Sequence, residues 1–231
     1  MPIPDRKIRG PFDIKTRFQK AQEQLARLPG KPTAGMHTDF MRDGKPVIFL
    51  HNPKTGGSSL EKLLGVKRLS HSYASTRLSE GNWLNSFSIS AVRDPFERFL
   101  SGYYFHILTS GVNGLVKIYG PDVKTISPFD YLELLDDAPK FGGHQTLWTD
   151  YPSAKKPTAD LILRFESISG WAEEIENAGI DLNGRKMSHL NASKRQGADH
   201  LKKLNLSKAE FERLKDAVYS YFKSDCDRFG Y

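Results

Sequence analysis

Cysteine is almost absent: Cys226 is the single one in 231 residues. No disulfide can close within the chain and no cysteine-based zinc site can be built, which points to a reducing compartment. Also missing are an apolar run of transmembrane length and an N-terminal apolar segment of the signal-peptide kind, so a cytoplasmic protein without membrane insertion is expected. There are no internal repeats and no low-complexity tracts. The Walker pattern G-x-x-x-x-G-K-[ST] is lacking, and no cluster of carboxylates stands out, so no metal is expected. Helix-turn-helix, RNP and zinc-finger patterns are lacking as well, which leaves nucleic-acid binding resting on charge alone and speaks against it.

What is present describes an ordinary soluble α/β chain with a basic balance. Lys and Arg number 34 against 27 Asp and Glu, for a net charge of +7, and hydrophobic residues make up 38%. That charge suits an anionic ligand, and the length suits one domain with a central sheet covered by helices. Residues 1–45 read as an N-terminal segment: one amphipathic helix over 13–28, carrying Ile14, Phe18, Leu25 and Leu28, then a loop over 31–45. Residues 46–231 form the domain proper.

The organising stretch is Val47–Leu64. Val47–Leu50 is an apolar run that suits a buried strand, and Asn52-Pro53-Lys54-Thr55-Gly56-Gly57 leads into a helix with Leu60, Leu63 and Leu64 on its apolar face. Ser58 with Glu61 has the capping-box spacing. Paired glycines let successive N–H groups converge, and the helix start adds its positive dipole end. Lys54 supplies a charge, while Thr55, Ser58 and Ser59 supply hydroxyls. Such a loop favours a phosphate or sulfate ester.

A second signal lies at Ala91–Tyr104. Phe87–Val92 reads as a strand, Asp94 as an N-cap with Pro95 at the first helical position, and Glu97 as completing a capping box. Phe96, Phe99, Leu100 and Tyr103 form the buried face, and Arg98 falls on the opposite, solvated or salt-bridged side. Arg93 stands at the strand end, with Ser101 roughly 10 Å further along the helix axis. Val66–Ser70 is a short candidate strand with His71 at its carboxyl end, where open α/β sheets place their ligands. Further on, Ser127-Pro128 starts a helix that ends near Pro139, and residues 160–165 form another strand. A helix carrying Ile168, Trp171 and Ile175 follows it, and Ser207 with Glu210 opens the last helix.

The Leu-His-Asn-Pro-Lys-Thr-Gly-Gly-Ser-Ser stretch resembles the 5′-phosphosulfate loop of sulfotransferases. It is most similar to that of the carbohydrate enzymes of the heparan and chondroitin type. The resemblance extends over 47–231 and implies a P-loop NTPase-like three-layer sandwich: a mainly parallel sheet, Val47–Leu50 and Phe87–Val92 inside it, and helices on both faces. It implies 3′-phosphoadenosine 5′-phosphosulfate (PAPS) as donor, with Pro53, Lys54, Thr55, Gly56, Gly57, Ser58 and Ser59 around the 5′ end. Arg93 and Ser101 would take the 3′-phosphate. Ser188–Arg195 resembles a looser loop that covers the nucleotide, which implies Asn191, Ser193 and Lys194. His144 and Gln145 fall where the family lines its acceptor cleft, the acceptor being a hydroxyl of a glycan or glycolipid. A loop around a buried tryptophan explains that region equally well.

Sulfuryl transfer asks the protein chiefly to position groups and neutralise charge, with a general base for the acceptor hydroxyl. Lys54 is the expected stabiliser of the leaving phosphate. His71 is the first choice of base, with His144, His106 and Glu80 as alternatives. A nucleotide-dependent kinase, a nucleic-acid-binding protein and a non-catalytic anion-binding module are the competing readings.

Overall fold

The computed structural model describes residues 36–66, 71, 73–109, 113–187 and 198–231. The expected helix over 13–28, most of the candidate strand at 66–70 and the stretch with Asn191, Ser193 and Lys194 lie outside the described residues.

Among the described residues four strands form one sheet in the order β1-β2-β3-β4: β1 (His37–Arg42), β2 (Lys45–Leu50), β3 (Phe87–Val92) and β4 (Leu161–Arg164). β1 runs antiparallel to β2, while β2, β3 and β4 are mutually parallel. The helices, in chain order, are α1 (Gly57–Leu64), α2 (Ala74–Arg77), α3 (Glu80–Leu84), α4 (Pro95–Tyr103) and α5 (Gly114–Tyr119). They continue with α6 (Pro128–Asp137), α7 (Thr146–Thr149), α8 (Trp171–Asn177), α9 (Ala198–Leu204), α10 (Lys208–Tyr221) and α11 (Lys223–Phe229). Among the described residues no helix is long and apolar enough to cross a membrane.

The inner strands β2 and β3 bury side chains on both faces, as a parallel sheet covered on two sides requires. Val47, Phe49, Ile89, Ala91 and Leu163 point to one face, where Leu60, Leu63 and Leu64 of α1 and Trp171 and Ile175 of α8 cover them. Ile48 and Leu50 point to the other and meet Ala74, Leu78, Trp83 and Tyr151. A third cluster joins Phe96, Phe99, Leu100 and Tyr103 of α4 to α6 and to Leu214 and Val218 of α10.

Two expectations need correction. The loop expected over 31–45 is a strand at His37–Arg42, because Asp43 and Gly44 both take positive φ (48° and 74°) and close a two-residue hairpin onto β2. The helix beginning at Gly57 has left-handed Gly56 (φ 80°) as its N-cap, so Ser58 lies inside it and makes no capping box with Glu61. Elsewhere the expected helix starts hold: Ser207 with Glu210 forms a reciprocal box, and the helix opened by Ser127-Pro128 is capped by a box of Ser127 with Asp130. Asp94 caps α4 by accepting from the Glu97 N–H. Glu97 does not close that box; its carboxylate pairs with Arg93, and the Asp94 N–H donates to Glu166 instead.

Candidate active site

The glycine loop, residues 51–56, joins the carboxyl end of β2 to α1. It turns through positive φ at Lys54 (68°) and Gly56 (80°), so the non-glycine Lys54 holds a left-handed conformation that is uncommon for a side chain of its size. Thr55 is fully buried and its hydroxyl donates to Asn52 O at 2.8 Å, which pins the loop from within. No side chain caps α1, in contrast to α3, α4, α5, α6 and α10. The first N–H groups of a helix have no intrahelical acceptor, so the start of α1 is a donor cluster suited to an anion.

Two buried polar side chains brace this loop from beneath. Asn52 Nδ2 donates to Ala91 O at 2.9 Å and to Gln145 Oε1 at 3.2 Å. Gln145, fully buried, clasps the Arg93 backbone on both sides: its Oε1 accepts from Arg93 N at 2.9 Å and its Nε2 donates to Arg93 O at 2.9 Å. The ends of β2 and β3 are thereby fixed to each other. Gln145 thus acts as a brace within the protein, where an acceptor contact had been expected.

Arg98 is the largest departure from the expected arrangement. It is 2% exposed, on the underside of the loop, rather than on a solvated face. Its Nε donates to Pro53 O at 3.0 Å, and its Nη1 to Gly142 O at 3.3 Å and Gly143 O at 2.8 Å. Trp148 lies 5.4 Å from the guanidinium carbon. Burial lowers its pKa to about 10, against the opposing pull of Asp225, so it remains a cation at neutral pH. One fork therefore ties the glycine loop to the 142–143 turn.

Arg93 occupies the rim above. Its guanidinium donates to Lys54 O at 3.4 Å and to Glu97 Oε2 at 3.3 Å, and stacks 4.3 Å from the centre of the Phe165 ring. Burial lowers its pKa, countered by Glu97, Glu166 and Asp94. Lys54 and Arg93 thus share one corner at the carboxyl ends of β2 and β3. Ser101 is half-buried in the last turn of α4, beyond Arg93. Ser59 is buried and Ser58 half-buried in the first turn of α1.

Lys54 Nζ lies 4.3 Å from the centre of the Phe105 ring, which is 48% exposed. Phe105 belongs to a π-helical turn, Tyr104–Leu108, that continues α4 and also carries His106. His106 is buried, and desolvation together with the charges of Lys54 and Lys124 lowers its pKa to about 4, so it is neutral at pH 7.

His71 is half-buried and its ring stands 4.3 Å from that of His51, between centroids. His51 follows the end of β2, so His71 is brought to the same corner as the loop. His144 is not: it stacks on Tyr221 at 5.3 Å and its Nδ1 faces Ser224 Oγ at 3.1 Å, among the C-terminal helices. Glu80 lies in the first turn of α3. Among the described residues no group of three or more His, Cys, Asp and Glu side chains is placed to hold a metal ion.

Residues 38–128 match the model of the sulfotransferase family. The match covers 91 of the 231 residues. It contains the glycine loop, His71, Arg93, Arg98 and Ser101, and supports a transferase acting on sulfuryl groups. No curated protein and no solved structure matches the chain. Sequence reasoning missed three members of this candidate site: Arg98, the Asn52–Gln145 brace and Phe105 over Lys54. Gly102, four residues after Arg98 and on the same helix face, is the signal that could have found the first. A bare glycine in a capped helix marks a face that packs closely, and a Cβ there would lie 3.0 Å from the Tyr131 hydroxyl.

Proposed function

We propose that the chain transfers the sulfuryl group of PAPS to a hydroxyl acceptor of the glycan or glycolipid class. What supports this reading is that three cationic features stand at the carboxyl ends of β2 and β3. These are the start of α1, which no side chain caps, Lys54 in the loop, and the Arg93 guanidinium, which donates to the Lys54 carbonyl. A doubly anionic nucleotide fits that donor set. Bound there, the donor would supply an activated sulfuryl group with adenosine 3′,5′-bisphosphate as leaving group. Gly56, Gly57, Ser58 and Ser59 would hold its 5′ end at the start of α1, and Arg93 with Ser101 its 3′-phosphate. Lys54 would neutralise the charge that grows on the bridging oxygen as the S–O bond breaks. His71 would take the proton of the acceptor hydroxyl as that oxygen bonds to sulfur.

The kinase reading is less well supported. The Walker lysine position is empty of lysine, and Thr55, the hydroxyl beside Lys54, is turned inward to Asn52 O. The test is transfer of label from the ³⁵S-donor across a panel of glycans, glycolipids and small alcohols. Lys54→Ala should lower turnover roughly 10²–10³-fold with a smaller effect on bisphosphate affinity. Equal loss of both would make Lys54 a binding residue only. His71→Ala should lower turnover while leaving bisphosphate affinity in place, and retained turnover would move the base elsewhere.

A further inference from the structure

His51 is enclosed beside the donor loop, and the roles assigned above leave it without one. Its Nδ1 lies 2.7 Å from Glu61 Oε1, with the two side chains 9% and 11% exposed. Glu61 reaches it because it stands four residues past Gly57, on the same face of α1. Nε2 abuts Gly57 itself, where an added Cβ would lie only 2.3 Å away. Phe49 flanks the ring at 5.5 Å between centroids, and His71 meets it at 4.3 Å with the planes inclined by 63°. An ionised carboxylate only accepts, so the His51 proton sits on Nδ1 and both tautomer and ring plane are fixed.

We propose that Glu61 and His51 are a positioning pair for His71, an inference that rests on the sulfotransferase reading in which His71 is the base. Glu61 belongs to the helix whose start receives the anion, and His51 to the end of the strand that feeds the loop. Through their contact the imidazole of His71 is set in a defined orientation relative to the sulfuryl site. Without the pair, His71 would lose the ring it packs against, and a displacement of about 1 Å at a reacting group costs on the order of 10²-fold in rate. The pair also explains why residue 57 is glycine. Any side chain there would drive the His51 ring off Glu61 or off His71.

The decisive variant is His51→Asn, which keeps a donor toward Glu61 but removes the ring against which His71 packs. Imidazole ¹⁵N spectra of histidine-labelled protein, assigned with His71→Gln, should show the His71 signals displaced in His51→Asn. Ring-to-ring cross-peaks between residues 51 and 71 should be present in the wild type. Release of labelled sulfate from the ³⁵S-donor, with water as the only acceptor, should fall roughly 10–100-fold in His51→Asn. Adenosine 3′,5′-bisphosphate affinity should stay within about threefold. Glu61→Gln retains the acceptor oxygen and should keep most of the rate. Unmoved His71 signals and an unchanged rate in His51→Asn would overturn the pairing while leaving the sulfotransferase reading intact. A wild-type protein that neither binds the bisphosphate nor releases sulfate would overturn that reading itself, whatever the histidine spectra show.

Discussion

Replacing Arg98 by methionine removes the fork that joins the glycine loop to the 142–143 turn. Three carbonyls, those of Pro53, Gly142 and Gly143, lose their donor in a region where Arg98 is 2% exposed. Each buried polar group left unmatched costs about 1–3 kcal/mol, although water entering the vacated space would recover part of it. Asp225, fully buried and the main charge acting on Arg98, would also lose that attraction. With three buried acceptors left unmatched and part of that recovered by water, Arg98→Met should lose about 3–5 kcal/mol. Arg98→Lys keeps the charge but cannot reach three carbonyls at once, and should lose about 1–3 kcal/mol. Urea unfolding followed by tryptophan fluorescence reports both values, since Trp148 packs on the guanidinium. The lysine variant should also bind adenosine 3′,5′-bisphosphate more weakly, because Pro53 precedes Lys54 in the loop. A methionine variant within about 1 kcal/mol of the wild type would refute the reasoning and show Arg98 to be a replaceable space-filler.

The remaining predictions concern His106 and Gly57. His106 has its pKa lowered to about 4 from the ordinary imidazole value of 6.5, so on acidification the unfolded chain takes up the proton first. Stability is therefore present above pH 6.5 and lost as the pH falls toward 4, by up to about 3 kcal/mol. Urea midpoints at several pH values should show this limb in the wild type and a flatter one in His106→Gln. Gly57→Ala places a Cβ against the His51 ring and should cost about 1–3 kcal/mol through overpacking. Gly81→Ala, in α3 with nothing within 4 Å of the added atom, should be neutral or stabilising by about 0.5–1 kcal/mol. Equal effects of the two substitutions, measured by thermal unfolding, would contradict the packing argument.

The parts of the site that can be read in the sequence are those carried by contiguous residues. The apolar run of β2, the glycine pair and the leucines of α1 lie within eighteen positions, and each has a local cause. The same holds for Asp94-Pro95 opening α4. Arg98 could not be placed by helical periodicity, because Phe96, Phe99, Leu100 and Tyr103 mark one side as the core and leave Arg98 opposite. That opposite side is buried too, under a loop forty-odd residues earlier in the chain. Glu61 misled for a related reason: its spacing from Ser58 fits a capping box, while its actual partner, His51, is across the loop. Strand β1 carries only one buried side chain, Phe40, so it has no apolar alternation to announce it. Its only local mark is the Asp43-Gly44 turn, which serves a loop equally well.

The central claim is that Lys54, Arg93 and the start of α1 form a donor site for a doubly phosphorylated adenosine nucleotide. Calorimetric titration with adenosine 3′,5′-bisphosphate tests it most directly, run beside ATP–magnesium and repeated on Arg93→Ala. The account predicts saturable one-to-one binding of the bisphosphate, in preference to ATP, and at least a tenfold loss in Arg93→Ala, equivalent to about 1.4 kcal/mol. Preference for ATP–magnesium, or bisphosphate binding that Arg93→Ala leaves unchanged, would contradict it.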